Sequence, residues 1–466
     1  MSFDTRDSLI GHKRTREEGA KPRKEEPKLP DFLEYGTKPT IKPGASSRVT
    51  PDFIEGFMHY TEGMPTGKLF RLWGGINTIL GALTRRVWTI SAGLRVYPNL
   101  YTFFIGKPGT GKDVVCDAME SLWMSLNDEL ILAPRSLSPK GLIDVLGEEE
   151  CSRFYSYTNE DGLPIQIEFR PLIICVPELG TILPVYDPQI LSFLNELYGS
   201  KDHFEDRVRG RGMVSIINPC VHVVLGTQPD FLGETFRDTA FGMGIFSRLI
   251  MVYSSDIPKV TLWGGDSTEN KRETIKGGLV HDLQQIVKLT GEFKITSKAQ
   301  ELVSEWYHKQ SAKDAPTHLK LEHYNSRRIL HLLKLCMAFS VSRTNDLVID
   351  EIDWRKAYNT LTFTEARMPE IFASMTSARS DNSTIEEVML HIRDVLSKTE
   401  KPIPESQLVK YLSKKVPSQV ISPIIENMVK SKKIRPLIGK NQERFFDLWV
   451  DLSTKEKEEQ TKSTGE

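Results

Sequence analysis

The sequence predicts an α/β fold: a parallel sheet core with helical flanking regions and a C-terminal winged-helix-like domain. Three observations predict it. Between about residues 100 and 255, apolar runs rich in β-branched and aromatic residues alternate with helical patterns, as strands covered on both faces require. One of these runs, YTFFI, feeds the glycine-rich stretch GKPGTGKDVV, which opens a helix. Beyond residue 384, three short amphipathic helical patterns are followed by a hairpin pattern.

The chain of 466 residues is long enough for two to four domains. Residues 1–48 are polar and charged of both signs, and predict a disordered tail. Residues 49–95 predict an N-terminal helical region. TPD at Thr50–Asp52 is a helix start, GKLFRLWGGINTILGALTRR has helical apolar spacing, and VWTISA is a strand. Residues 96–260 form the α/β core, in which PLIICVPELG, CVHVVLGTQPD and SRLIMVYSS read as further buried strands. A hairpin, SRFYSY to LPIQIEF, reads as an insertion before the second strand. Residues 261–376 read as a helical subdomain, TSARSDNS near 376–383 as a linker, 384–450 as the winged-helix-like domain and 451–466 as a second disordered tail.

Net charge is −1, so any nucleic-acid contact must come from local patches. No apolar run reaches the roughly 18 residues that span a membrane, and the N-terminus lacks a signal-peptide core. Five dispersed cysteines without a CxxC pair predict reduced thiols in a cytoplasmic setting.

The chemistry concentrates in Gly106-Lys107-Pro108-Gly109-Thr110-Gly111-Lys112-Asp113. Glycines let backbone N–H groups curl around phosphates, and Lys112 reaches the β- and γ-phosphates at a helix N-terminus. The expected nucleotide is ATP with Mg²⁺. A Ser or Thr hydroxyl normally follows the lysine as a Mg²⁺ ligand; here Asp113 follows. The second buried strand ends in Pro177-Glu178. Glu178 is the expected catalytic acid, and Pro177 stands where an Asp would serve the metal shell. Asp113 therefore either takes over the carboxylate role at Mg²⁺ or merely caps its helix, with poor hydrolysis. Thr227 or Gln228, at the end of the third strand, is placed to orient the attacking water. Arg248, at the start of the fourth, is the expected arginine finger towards a neighbouring subunit, with Arg237 as the alternative.

A DNA-facing element is expected in GSKDHFEDRVRGRGMVSII. Arg207, Arg209 and Arg211 alternate and share one face of a strand; Lys201 and His203 stand near them. Such a hairpin in a pore would grip a phosphate backbone without reading sequence. The C-terminal domain offers Lys440 and Arg444, and serves equally well as a protein-docking module.

YPNLYTFFIGKPGTGKD, PELGTIL, LNELYGSKD…RGRG…INPCVHVVLGTQPDFL and GIFSRLIMVYSS together resemble the P-loop ATPases of phages and mobile elements, related to primase–helicases of the superfamily 3 type. The resemblance spans roughly residues 50–370. It implies a RecA/AAA+-like P-loop NTPase core, a homo-oligomer, most simply a hexamer, and ATP-driven helicase or translocase action on single-stranded or forked DNA in viral or mobile-element replication. It places Lys112 at the phosphate lysine, Glu178 at the acid, Gln228 at the sensor and Arg248 at the finger. Asp113 and Pro177 depart from the pattern. No primase zinc site is present in the sequence, so priming falls to a separate protein. The alternatives are a nucleotide-switched helicase loader or scaffold with weak hydrolysis, and a non-enzymatic DNA-binding ring.

Overall fold

The computed structural model describes residues 48–448 apart from 127–128, 137, 159–160, 183–187, 209–211, 237–243, 258–259, 261–265, 379–380, 400, 414–417 and 440–442. Helix α1 (Phe53–Tyr60) starts where its sequence signal places it: Asp52 caps it, accepting from the Ile54 and Glu55 N–H groups at 3.0 and 3.2 Å. Helix α2 (Lys68–Leu83) is buried along almost its whole length. Strands β1 (Val87–Ser91) and β2 (Leu94–Val96) form a hairpin. The core follows as β3 (Tyr101–Ile105), α3 (Lys112–Trp123), α4 (Pro139–Gly147), β4 (Arg153–Thr158), β5 (Pro164–Val176), α5 (Leu179–Ile182) and α6 (Pro188–Leu197). It continues through β6 (His203–Val208), β7 (Gly212–Ile217), β8 (Pro219–Thr227), α7 (Pro229–Thr235), α8 (Gly244–Ser247) and β9 (Leu249–Tyr253).

The central sheet has the order β4–β5–β8–β3–β9. The last four strands are mutually parallel, and β4 runs antiparallel along β5. Alternation along β3 explains its unbroken apolar run. Phe104 packs against Phe70 of α2, with ring centroids 5.2 Å apart, and the Thr102 hydroxyl bonds Asn77 Oδ1 of α2 at 3.0 Å. On the other face the Tyr101 hydroxyl donates to the Leu194 carbonyl of α6 at 2.8 Å. Both faces are covered, so every residue of the strand is buried.

Two expectations change. The hairpin before the second strand is not a separate insertion. Its return strand and the buried strand are one strand, β5, whose first half pairs with β4 and whose second half pairs with β8. Nor is 376–383 a linker throughout. Following α9 (Asp266–Ile286), β10 (Gly291–Glu292), β11 (Lys294–Ile295), α10 (Ser297–Glu305), α11 (Glu322–Asn325), α12 (Arg328–Arg343) and β12 (Val348–Ile349), helix α13 (Glu351–Ala378) runs to within two residues of α14 (Asp381–Thr399).

Residues of α1, α2, the sheet, α9, α12 and α13 share one apolar core. The C-terminal segment has its own. There α14, α15 (Glu405–Leu412) and α16 (Ser418–Lys430) close over a sheet of β13 (Ile403–Pro404), β15 (Arg444–Leu448) and β14 (Ile434–Ile438), around Val388, Ile392, Leu408, Ile424 and Phe446. Among the described residues no helix is long and apolar enough to cross a membrane.

Candidate functional site

The glycine loop leaves β3 at the sheet's carboxyl edge. Gly106 donates its N–H to the Thr227 carbonyl at 3.2 Å. A methyl group on Gly106 would lie 2.6 Å from the Ser254 carbonyl oxygen at the end of β9. Thr110 closes the loop, its hydroxyl bonding the Lys107 carbonyl at 2.8 Å. Gly111 precedes α3 with φ +76°, and a methyl there would sit 1.9 Å from the Pro65 carbonyl oxygen. Only glycine meets both demands. Lys107, Pro108 and Gly109 are exposed, while Lys112 is buried. Its ammonium folds back on the loop, 2.8 Å from the Gly106 carbonyl and 3.2 Å from that of Lys107. Burial pulls its pKa below the ordinary lysine value, opposed by the carboxylates of Glu178 and Asp113.

Glu178 belongs to a strand that is not the loop's neighbour, since β8 lies between β5 and β3. The geometry of Gly226 bridges that gap. A methyl on Gly226 would fall 2.1 Å from the Pro177 carbonyl oxygen, so the chain leaving β5 passes closely over β8 at this glycine. Glu178 is exposed and makes no side-chain hydrogen bond among the described residues. Gln228 follows β8 directly. Its carbonyl accepts from the Leu232 N–H at 3.0 Å, and its half-buried carboxamide has no bond among the described residues. The Thr227 hydroxyl lies 3.4 Å from the Gln228 carbonyl, which leaves Gln228 as the freer of the two sensor candidates. Asp113 is exposed in the first turn of α3 and accepts no capping bond; the cap position is Gly111. The structure therefore brings residues 106–113, Glu178 and Gln228 to one edge of the sheet. Gly226 and Ser254 belong to the site as well. A lone glycine inside an apolar strand was the available signal for the first; nothing local marks the second.

Asp113 and Glu178 are two exposed oxygen donors beside the loop. No cluster of three or more metal-ligating side chains forms among the described residues. This donor set fits Mg²⁺, which keeps most of its shell as water and nucleotide phosphate oxygens.

Arg248 is not at this edge. It precedes Leu249, which pairs with Tyr101 at the start of β3, whereas the loop follows Ile105, opposite Tyr253. Five strand residues, about 16 Å, separate the two. Its guanidinium donates to the Gly244 carbonyl at 2.7 Å and stacks over Tyr198. Arg237 lies outside the described residues.

The expected hairpin between α6 and β8 is present as β6–β7, with Val208 opposite Gly212 at its tip. Arg207 is on β6, Lys201 is exposed at the base, and Arg209 and Arg211 lie outside the described residues. His203 pairs with Glu205 across 2.8 Å. In the C-terminal unit Arg444 bonds Glu405 at 3.3 Å rather than standing free, and Lys440 lies outside the described residues. No protein-family model matches the chain, and no curated protein is significantly similar to it.

Proposed function

We propose that the chain is a P-loop ATPase of RecA/AAA+-like type that assembles as a ring, a hexamer in the simplest case, and drives a helicase or translocase step on DNA during viral or mobile-element replication. The observation that supports it most is the convergence of the glycine loop and Glu178 across the intervening strand β8. A loop alone can be a structural turn; a loop facing an acid from a strand two places away is suited to phosphoryl transfer.

In this reading the N-terminus of α3 and the loop amides hold the β- and γ-phosphates of ATP. Lys112 exchanges two neutral carbonyl acceptors for charged phosphate oxygens, which adds ion–ion attraction to bonds already charge-assisted by the ammonium. Glu178, exposed and unbonded, takes the proton of the attacking water, and Gln228 orients that water. Mg²⁺, when bound, neutralises charge on the phosphates; Asp113 is its closest match to the missing hydroxyl ligand. Arg248 is too far to act on its own chain's nucleotide and serves a neighbouring copy. Lys201 and Arg207, with the arginines of the hairpin tip, contact single-stranded or forked DNA. The C-terminal unit, with three helices and a three-stranded sheet, is read as winged-helix-like. The buried free thiols suit a cytoplasmic compartment.

The test is Mg²⁺-dependent ATP hydrolysis with and without single-stranded DNA. Lys112→Ala and Glu178→Gln are expected to lower turnover by about 100-fold or more, and Asp113→Ser to change the Mg²⁺ dependence. DNA-stimulated turnover lost in both loop and acid variants supports the motor. ATP binding without turnover would replace it with the nucleotide-switched loader or scaffold. Unchanged Mg²⁺ dependence in Asp113→Ser would remove Asp113 from the metal shell.

A further inference from the structure

At the sheet's amino-terminal edge, remote from the glycine loop, three basic side chains gather, and none of them bonds a carboxylate among the described residues. Arg248 and Arg327 share one hydroxyl: Ser247 Oγ lies 3.5 Å from Arg248 Nη1 and 3.1 Å from Arg327 Nε. Arg248 and Lys334 share one ring. The Arg248 guanidinium lies 5.8 Å, and the Lys334 ammonium 4.1 Å, from the centroid of Tyr198. Lys334 is buried on α12, and among the described residues it bonds only the carbonyl and side-chain oxygen of Asn99. Every acceptor used here is neutral.

No described carboxylate contributes to the field at Lys334 or Arg248; burial and the neighbouring arginines push both pKa values down, Lys334 to about 7. Glu365, on the adjacent helix α13, is committed to Arg328, bonded at 2.8 and 2.6 Å. Among the described residues two donors have no partner: Arg248 Nε and the Tyr198 hydroxyl, both buried. The terminal nitrogens of Arg327, half-exposed, have no bond among the described residues either. Like charges and unused donors cost free energy unless something negative completes them.

We propose that Arg248, Arg327, Lys334 and the Tyr198 hydroxyl form a second oxyanion site, taking a phosphate-class group. The proposal goes beyond the ATPase reading, because free chains bind the anion whether or not they hydrolyse ATP. The group comes either from free phosphate or pyrophosphate, or from the phosphate tail of a nucleotide held by a second copy. The loop of the same chain lies too far away to supply it.

The experiment uses the full chain carrying Lys112→Ala, which removes phosphate binding at the loop lysine. Its melting temperature is followed against pyrophosphate at constant ionic strength. A saturable rise is expected, with half-saturation weakened at least tenfold by adding Arg327→Gln. Absence of the rise, or its persistence unchanged in the double variant, overturns the proposal. If Arg327→Gln fails to fold, Arg248→Gln gives the same comparison. Light scattering of the chain with Lys112 intact then separates the sources. Pyrophosphate binding at constant monomer mass identifies free anion. Self-association driven by a non-hydrolysable ATP analogue, and blocked by Arg327→Gln, identifies a second copy's nucleotide. An inactive ATPase with an intact pyrophosphate response would count against the motor and leave this site standing.

Discussion

Gly226 carries a structural demand that its side chain cannot advertise. The Pro177 carbonyl occupies the space a Cβ would need, and that contact lets Glu178 leave β5 in the direction of the loop. Gly226→Ala is expected to destabilise the fold by about 1–3 kcal/mol, the usual cost of overpacking a close-packed interior, and, if the chain hydrolyses ATP as proposed, to lower turnover in proportion to the displacement of Glu178. Thermal denaturation beside a steady-state assay checks both; a variant as stable and active as the parent would show that the crossing relaxes freely. The loop glycines, by contrast, were legible because their requirement is local: Gly109 and Gly111 both adopt positive φ within a short turn. Gly226 answers to a residue 49 positions earlier; its place inside an apolar strand marks it as unusual but does not name that partner.

At the scale of elements, the strands of the sheet and the order of motifs along the chain followed from apolar runs and turn residues. What escaped was how far elements continue. β5 is 13 residues long because its first half is half-exposed and its second half buried, a change of periodicity that reads as two strands. Helix α13 continues through polar residues that read as a linker, since nothing there breaks a helix. The β6–β7 hairpin was legible from alternation, but the position of its arginines against DNA is a matter of assembly. If it tracks a backbone, Arg207→Ala should reduce the slope of log K against log salt for single-stranded DNA by about 0.7, the increment of one phosphate contact, and Lys201→Ala should add a similar step. Equal slopes in parent and double variant would move the DNA contact elsewhere.

At the scale of the molecule, two buried histidines tie stability to acid. His222 accepts the Leu100 N–H on Nδ1 at 3.2 Å and therefore carries its proton on Nε2, facing Asn77 Oδ1 at 3.1 Å. His331 faces the Ser247 carbonyl through Nε2 at 3.2 Å. Burial lowers both pKa values to about 3. Below pH 6.5 the unfolded chain takes up protons that the folded chain refuses until about pH 3. Stability should fall with decreasing pH through that window, by about 1.4 kcal/mol per pH unit for each histidine. Lys334 works at the other end: folded, it releases its proton near pH 7, whereas the unfolded chain holds it to about 10.5, so stability should rise with pH between those values. Urea unfolding at a series of pH values checks both slopes, and His222→Asn should reduce the acid one. A flat profile from pH 6.5 to 4 would mean that neither ring is buried as neutral imidazole.

The sequence by itself determined the α/β class, the glycine loop with its lysine, the acid at the end of a buried strand and the hairpin between α6 and β8. Each of these is a property of consecutive residues: strand periodicity, turn conformation, a helix start. Only the tertiary structure decided that β8 lies between loop and acid, that Arg248 stands at the far edge of the sheet, and that Arg327 and Lys334 gather beside it without a counter-charge among the described residues. Strand order is set by which apolar faces bury one another across the whole sheet, and the field at a buried cation is set by neighbours from distant segments. Neither quantity exists along the chain until the chain is folded.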